Sequence, residues 1–312
     1  MFQTFLITIQ QMAILFIFMA FGFFFAKLKK VGEDASNVLS KLCVNIFVPA
    51  LSFSTMAECC TVKNLTEDKW MFLTGLCVLA VTLVIGIFVS KLFSKNRDTQ
   101  SVYTYALTCP NYGYIGYPIV TALLGQAALF DFMIWTMPFF IFTYMVAVQM
   151  LKPGGRISLK GLVTSPSTIA MVLGMICGLA GITDKLPEFI TGFASVAGAC
   201  MTPVGMVMTG MVLGKQEIKK LFDNVPAYII SSLRLIILPL VGLLVFWLAG
   251  IRGANAIMGV LFLSLPGGLN TIVFPEAYGG DSMSGARVVF ITNVVGLLTI
   301  PLMVSLAAAV LS

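Results

Sequence analysis

Ten apolar runs of about 20 residues dominate this sequence and limit the folds open to it. A helix of this length crosses the hydrocarbon core of a bilayer. With 59% hydrophobic and 10% charged residues, a chain of 312 residues has too little polar surface to cover a water-soluble fold. We therefore predict an all-α integral membrane protein with ten transmembrane helices, near residues 4–26, 37–57, 69–90, 101–125, 129–151, 162–182, 189–213, 226–249, 254–279 and 284–311.

One hydrophilic connector, KPGGRISLK at residues 152–160, divides these runs into five and five. The predicted units are a first five-helix repeat, 1–151, a cytoplasmic connector, 152–160, and a second five-helix repeat, 161–312. Because each half has an odd number of spans, the second half enters the membrane with opposite polarity. The two halves also resemble each other weakly, so the sequence predicts a 5+5 inverted repeat.

The basic residues are distributed unequally between the two sets of loops, and this predicts the orientation. Connectors after odd-numbered spans carry thirteen, and those after even-numbered spans carry four. We expect a multi-pass protein of the plasma or inner membrane, with both termini extracytoplasmic. This bias accounts for the net charge of +6, so no nucleic-acid partner is inferred. The two sets are Lys27, Lys29, Lys30, Lys41, Lys91, Lys95, Arg97, Lys152, Arg156, Lys160, Lys215, Lys219 and Lys220, against Lys63, Lys69, Lys185 and Arg252.

The residue types that support enzyme chemistry are scarce. The chain has no histidine, which removes the commonest general base and metal ligand. Its seven cysteines lack the CxxC spacing of metal or redox motifs. We predict no enzyme activity, no cofactor and no metal site.

Two predicted spans contain helix-breaking residues at their centres. The fourth includes CPNYGYIGYP, 109–118, and the ninth includes SLPGGLNTIVFPEAYGGD, 264–281. Proline removes a backbone donor, and glycine permits conformations that other residues resist. We expect the fourth span to stop near Asn111 and restart near Pro118. A single kink is more often structural, but two interrupted spans at related positions indicate a transporter site.

Each restarted helix presents free N–H groups and a positive dipole end at the crossing point, so the site should favour an anion. The candidate substrate-binding residues are Asn111, Tyr112, Gly113, Gly116, Pro118, Pro266, Gly267, Gly268 and Asn270. Asn45, on the second span, either faces the same cavity or forms an interhelical hydrogen bond.

Arg234 is the only basic residue well inside a predicted span. Because a buried charge in the bilayer is usually paired or functional, we predict a network with Glu276, Asp281 and Arg287. The alternative is an entry ligand for a carboxylate. Two spacings of small residues, Gly174/Gly178 and Gly210/Gly214, favour close helix packing, either within one subunit or at a dimer interface.

The sequence resembles the auxin efflux carrier family in NYGYIGYP, NIFVPAL, TPVGMVMTG, RLIILP and YGGD. The resemblance implies a bacterial member similar to the plant auxin exporters, with the ten-helix fold of bile-acid sodium symporters. It further implies a dimerising scaffold of spans 1, 2, 6 and 7, and a transport domain of spans 3–5 and 8–10 that moves like an elevator. No room exists between the halves for the long cytoplasmic loop of some plant exporters.

We therefore predict a secondary carrier for an organic anion, either auxin-like or a small dicarboxylate such as malonate. The alternatives are a sodium- or proton-coupled symporter of the same fold and an anion channel. The expected partners are the anion, the lipid bilayer and a second copy of the chain.

Overall fold

A computed structural model describes residues 2–67, 69–152 and 163–311, and the fold formed by these residues is helical. An isolated bridge between Pro110 and Gly267 is the β-type pairing recorded for these ranges. Within these ranges, short helical turns connect or extend the main helices: Val62–Glu67, Thr143–Ala147, Val148–Met150, Thr183–Lys185 and Ile218–Leu221. The main helices are α1 Phe2–Lys27, α2 Ala35–Cys59, α3 Lys69–Phe93, α4 Arg97–Thr108, α5 Tyr112–Leu124, α6 Gln126–Phe142, α7 Pro166–Ala180, α8 Glu188–Gly214, α9 Val225–Leu248, α10 Gly253–Ser264, α11 Asn270–Tyr278 and α12 Ser282–Val310.

Six of the described helices, α1, α2, α3, α8, α9 and α12, are long and apolar enough to cross a membrane. Helices α5, α6, α7 and α10 are shorter and also apolar. Large apolar side chains are exposed on the outside of the helices. In α3, for example, Phe88 is 66% exposed and Leu92 is 78% exposed. Exposed apolar surface on this scale is stable only in an apolar solvent. The prediction of an all-α membrane protein is confirmed at this level.

Three helices widen into a π-turn just before a proline. These three π-turns are Cys43–Phe47 in α2, Tyr112–Gly116 in α5 and Leu233–Ile237 in α9, and they precede Pro49, Pro118 and Pro239. A further described π-turn, Thr143–Ala147, continues α6 and is followed by Val148–Met150 instead of a proline. Proline lacks an N–H and crowds the preceding turn, and a wider turn relieves both problems. In α5 the helical path resumes at Tyr112 as a π-turn, and regular α-helix begins at Tyr117, beside Pro118, where the restart was expected.

Glycines allow α1, α2, α7 and α8 to pack with their backbones nearly touching. A Cβ on Gly210 of α8 would lie 1.9 Å from the carbonyl oxygen of Met19 in α1. A Cβ on Gly174 of α7 would lie 2.6 Å from the carbonyl oxygen of Phe53 in α2. Gly198 brings α8 against Leu51 of α2 in the same way. These four helices therefore form one closely packed group.

The predicted small-residue pairs are both used within this chain. Gly178 faces the carbonyls of Met56 and Cys60, and Gly214 faces Phe23. The sequence left open whether these pairs pack within one subunit or at a dimer interface. The contacts observed are packing contacts within one subunit. The predicted connector 152–160 lies outside the described residues, except for Lys152.

The remaining helices pack around the two short segments 109–111 and 265–269. Helix α3 contacts α6 where Gly75 approaches the carbonyl of Trp135, and α11 contacts α12 where Gly285 approaches that of Thr271. Thr104 of α4 donates to the carbonyl of Gly86 in α3 at 3.3 Å. The core thus surrounds two places where the helical path is interrupted.

Candidate functional site

The two interruptions lie against each other. The backbone N–H of Asn111 donates to the carbonyl of Pro266 at 2.9 Å, beside the bridge between Pro110 and Gly267. A Cβ on Gly268 would lie 2.7 Å from the carbonyl oxygen of Cys109, so the backbones approach more closely than any other residue allows. The contact joins the end of α4 and the start of α5 to the start of α11.

A cavity of about 130 Å³ opens beside this contact. It lies between the interrupted segments and helices α2, α7 and α8, which contribute Val48, Met171 and Met201 among others. The described lining contains amides, hydroxyls, aromatic rings and methionines, and no Asp, Glu, Lys or Arg. Its residues are Val44, Val48, Ser52, Tyr105, Pro110, Asn111, Tyr112, Gly113, Tyr114, Tyr117, Met133, Thr136, Phe140, Thr143, Met171, Met201, Gly268, Leu269 and Asn270.

Two helix N-termini, those of α5 and α11, begin at the cavity lining. Asn111 and Leu269 occupy the positions immediately before them. The first N–H groups of a helix lack partners within it, and each N-terminus carries about half a positive charge. The cavity therefore has an electropositive side that no charged side chain supplies.

The two predicted asparagines differ in their hydrogen bonds. Asn111 is 5% exposed, and its side-chain Nδ2 is a buried donor without a partner among the described residues. Asn270 donates from its Nδ2 to the hydroxyl of Tyr105 at 2.7 Å. A buried amide donor without a partner costs free energy unless a ligand or water accepts from it. Asn111 thus offers the cavity an unused hydrogen bond.

The other predicted binding residues divide into lining and supporting positions. Tyr112, Gly113, Gly268 and Asn270 join Asn111 in the lining. Gly116, Pro118, Pro266 and Gly267 are absent from that lining. Gly116 leaves room for the side chains of Leu265 and Phe132, and Gly267 donates its N–H to Thr292 at 3.0 Å.

Asn45 lies away from the cavity. It is exposed on α2, and its Nδ2 donates to the carbonyl of Lys41 one turn earlier in the same helix, at 2.8 Å. Its neighbours Val44 and Val48 line the cavity in its place. Neighbouring residues on a helix point in directions about 100° apart. The sequence alone therefore did not show that Asn45 faces away from the cavity that Val44 and Val48 line.

Several lining residues were not predicted. Tyr105, one turn before the break, is 3% exposed and holds Asn270. Met133, Thr136 and Phe140 come from α6, and Met171 and Met201 come from the closely packed group. A tyrosine four residues before a membrane Cys-Pro pair is a usable signal, whereas the methionines cannot be distinguished by sequence from core residues.

The described members of the predicted charge network do not form one cluster around Arg234. Arg234 is 0% exposed and donates to three backbone carbonyls, those of Leu107, Phe262 and Leu265. Arg287 pairs with Asp223 at 2.8 Å. Among the described side chains, the structure does not bring Arg234 into an ion pair with Asp281. The Glu276 side chain lies outside the described part of the structure.

Asp281 caps the N-terminus of α12 and connects it to α4. Its Oδ1 accepts from the N–H of Ser284 at 3.0 Å, and its Oδ2 accepts from the hydroxyl of Thr99 at 2.6 Å. Burial raises the pKa of this carboxyl, but these hydrogen bonds and the Arg287 charge outweigh burial, so its pKa lies below the ordinary value. Asp281 is therefore ionised at neutral pH.

Comparison with known proteins extends over almost the whole chain. The sequence profile of the family described as Membrane transport protein matches residues 7–158 and 150–304. An uncharacterized transporter of Methanothermobacter thermautotrophicus is 25% identical over 290 residues, which is 90% of this chain and 92% of that protein. An uncharacterized transporter of Methanocaldococcus jannaschii is 22% identical over 304 residues, covering 95% and 98% of the two chains.

Proposed function

We propose that this protein is a secondary transporter for an organic anion. The chain belongs to the membrane transport protein family, which is the auxin efflux carrier family that its motifs resemble. The anion binds in the cavity beside the two interruptions, and movement is down its electrochemical gradient. Efflux of an anion is favoured by an inside-negative potential, by about 2.3 kcal/mol per charge per 100 mV.

The observation that carries this proposal is the pair of helix N-termini at one cavity whose described lining contains no ionised side chain. Two such termini together supply roughly one unit of positive charge. The unpartnered Nδ2 of Asn111 adds a donor for an acceptor group. A carboxylate satisfies both features, because it carries the charge and accepts hydrogen bonds with two oxygens.

The apolar part of the lining suits the carbon skeleton of the substrate. Met133, Met171 and Met201 are flexible and polarizable, so they accommodate different shapes. We infer that the substrate is a carboxylate that is auxin-like or a small dicarboxylate such as malonate.

The proposed mechanism is an elevator movement within a ten-span 5+5 inverted repeat. In this arrangement α4 with α5, and α10 with α11, are the two broken crossover spans. Backbone-close contacts hold α1, α2, α7 and α8 together as a scaffold. Across the cavity, Gly205 and Met201 of α8 meet the side chain of Tyr114 and Gly113 of α5. Side-chain contacts of this kind can rearrange more readily than packed backbones, which supports a moving transport domain of α3–α6 and α9–α12.

We further propose, on the family resemblance, a homodimer joined through the scaffold in a plasma or inner membrane. Both termini are extracytoplasmic in this proposal, as the lysine and arginine distribution indicates. Native mass spectrometry from detergent tests the dimer, and protease access to tags at each terminus in oriented vesicles tests the orientation.

The transport function is tested by currents from proteoliposomes on a solid-supported membrane. A panel of mono- and dicarboxylates is applied, with and without sodium and with and without a pH gradient. A uniporter gives saturable currents of negative charge that persist without either gradient. Currents that require sodium or protons indicate the symporter, and currents that do not saturate indicate the channel. Absence of current and of isotope flux for every carboxylate contradicts the proposed substrate class.

A further inference from the structure

Arg234 is fully buried, yet its described hydrogen-bond partners are uncharged. Its Nε donates to the carbonyl of Leu265 at 3.0 Å, its Nη1 to that of Leu107 at 2.8 Å and its Nη2 to that of Phe262 at 2.7 Å. The guanidinium carbon also lies 5.7 Å from the centre of the Phe262 ring. A permanently charged group at 0% exposure requires a strongly electronegative environment.

The three carbonyls belong to two helix C-termini. Leu107 lies in the last turn of α4, which ends at Thr108, and Phe262 lies in the last turn of α10, which ends at Ser264. Leu265 is the residue that follows α10. The last carbonyls of a helix lack partners within it, and each C-terminus carries about half a negative charge. Two such ends together present roughly one negative charge, which a single guanidinium matches.

We propose that these carbonyls of Leu107, Phe262 and Leu265 form a cation site, and that Arg234 occupies it as a tethered cation in place of an inorganic ion. The site joins the last turns of α4 and α10 through one planar side chain on α9. Its three donors reach three oxygens at once, a geometry that the fork of arginine allows.

This arrangement has a consequence for the cavity, and that part of the inference rests on the proposed transport function. At each interruption, a negative helix end precedes a positive one: α4 ends before α5 begins, and α10 ends before α11 begins. Without a cation, the negative potential of the helix C-termini opposes the positive potential of the helix N-termini. Because Arg234 neutralises the C-termini, the N-termini of α5 and α11 act unopposed on an anion. Anion binding here therefore needs no added sodium or potassium.

The test removes the tethered cation and supplies a free one. Arg234→Ala in the full chain is purified in detergent, and its melting temperature is measured while guanidinium chloride is titrated at millimolar, non-denaturing concentrations. N-methylglucamine chloride keeps the ionic strength constant. We expect a lowered melting temperature that guanidinium raises saturably, while the wild type shows no such rise.

Arg252→Ala is the matched control. Arg252 also donates to carbonyls, those of Phe246 and Trp247 in the last turn of α9 and that of Ile251 after it, but it is exposed, in the connector between α9 and α10. We expect a small loss of melting temperature there and no rescue by guanidinium. A rescue of equal size in both variants would indicate a general effect of guanidinium and would overturn the proposal.

Two further variants keep the test decisive if Arg234→Ala does not fold. Arg234→Lys retains the charge but not the planar guanidinium with its several donors. We expect its melting temperature to lie between those of the wild type and Arg234→Ala. Arg234→Met retains length without charge, and we expect it to be less stable than the lysine variant. A methionine variant as stable as the wild type overturns the proposal.

The anion consequence has its own measurement. With a carboxylate that binds the wild type, Arg234→Met should weaken binding about tenfold or more, and Arg234→Lys should weaken it less. Guanidinium rescue without any carboxylate binding in the wild type would support the cation site while contradicting the proposed function. Unchanged carboxylate affinity in Arg234→Met would overturn the link between Arg234 and the anion.

Discussion

Asn111 shows how a single residue joins the break in the helix to the proposed binding chemistry. Its backbone N–H donates to the carbonyl of Pro266, while its side-chain Nδ2, at 5% exposure of the residue, has no partner in the part of the chain that the structure describes. The sequence identified this residue because an asparagine beside a proline in an apolar run is unusual. For Asn45 the sequence left both a cavity position and an interhelical hydrogen bond open, and the structure shows a bond to Lys41 within the same helix instead.

Asn111→Ala should weaken carboxylate binding while leaving stability nearly unchanged. The substitution removes a donor to the ligand, worth about 1.5–3 kcal/mol when the acceptor is charged, or more than tenfold in affinity. It also removes an unpartnered buried group, so the native state loses no hydrogen bond of that side chain. Isothermal titration with a carboxylate and thermal melting measure the two effects. Asn45→Ala is the control, and an equal loss of affinity in both variants would contradict the assignment.

The carboxyl of Asp281 predicts an acid-dependent loss of stability. Because its folded pKa is lowered, its contribution is fully present above the ordinary value of about 3.9 and is lost as the pH falls from there towards the folded pKa. Melting temperatures measured from about pH 6 to pH 3 should therefore converge for the wild type and Asp281→Asn. Parallel curves with a constant difference would show that the charge of Asp281 contributes nothing to this dependence.

At the scale of elements, proline and glycine position the site by interrupting α4/α5 and α10/α11. The sequence predicted where the helices stop, because these residues act locally. It placed the restart near Pro118, and regular α-helix does begin at Tyr117, but it did not predict the π-turn Tyr112–Gly116 that precedes the proline. The close contact of Gly268 with Cys109 was not predictable, since it depends on how two distant segments meet.

Gly268→Ala should destabilise the protein, whereas Gly267→Ala should be tolerated. A methyl group on Gly268 lies 2.7 Å from a backbone oxygen, but one on Gly267 lies 3.4 Å from its nearest neighbour, a valine methyl group. Overpacking against a fixed backbone costs about 1–3 kcal/mol. Thermal melting of the two variants measures this difference. Equal melting temperatures would mean that the two interruptions are not in contact.

Gly210→Ala should loosen α8 from α1, because the added methyl group would lie 1.9 Å from the carbonyl oxygen of Met19. Gly192→Ala in the same helix meets nothing within 4 Å and should stabilise the helix slightly. Expression level and melting temperature of the two variants provide the comparison. If Gly192→Ala were the more damaging change, the outer face of α8 would be covered in the membrane, as a dimer interface requires.

At the scale of the whole molecule, apolar runs and family motifs are sufficient to predict a helical membrane transport protein. Periodicity could not predict which helices pack together, since the glycines that decide this also occur at open positions such as Gly192. The predicted network around Arg234 illustrates a second limit. A buried charge suggests an opposite charge in the sequence, but here Arg234 is held by backbone carbonyls, which every residue carries.

The most direct test of the central claim compares ligands of equal shape and different charge. Isothermal titration of the purified protein uses a carboxylate, its neutral amide and the corresponding amine. If two helix N-termini create the site, the carboxylate binds, the amide binds at least tenfold more weakly, and the amine does not bind. Binding of the amine in preference to the carboxylate, or equal binding of all three, would contradict an electropositive site at the meeting of the interrupted helices.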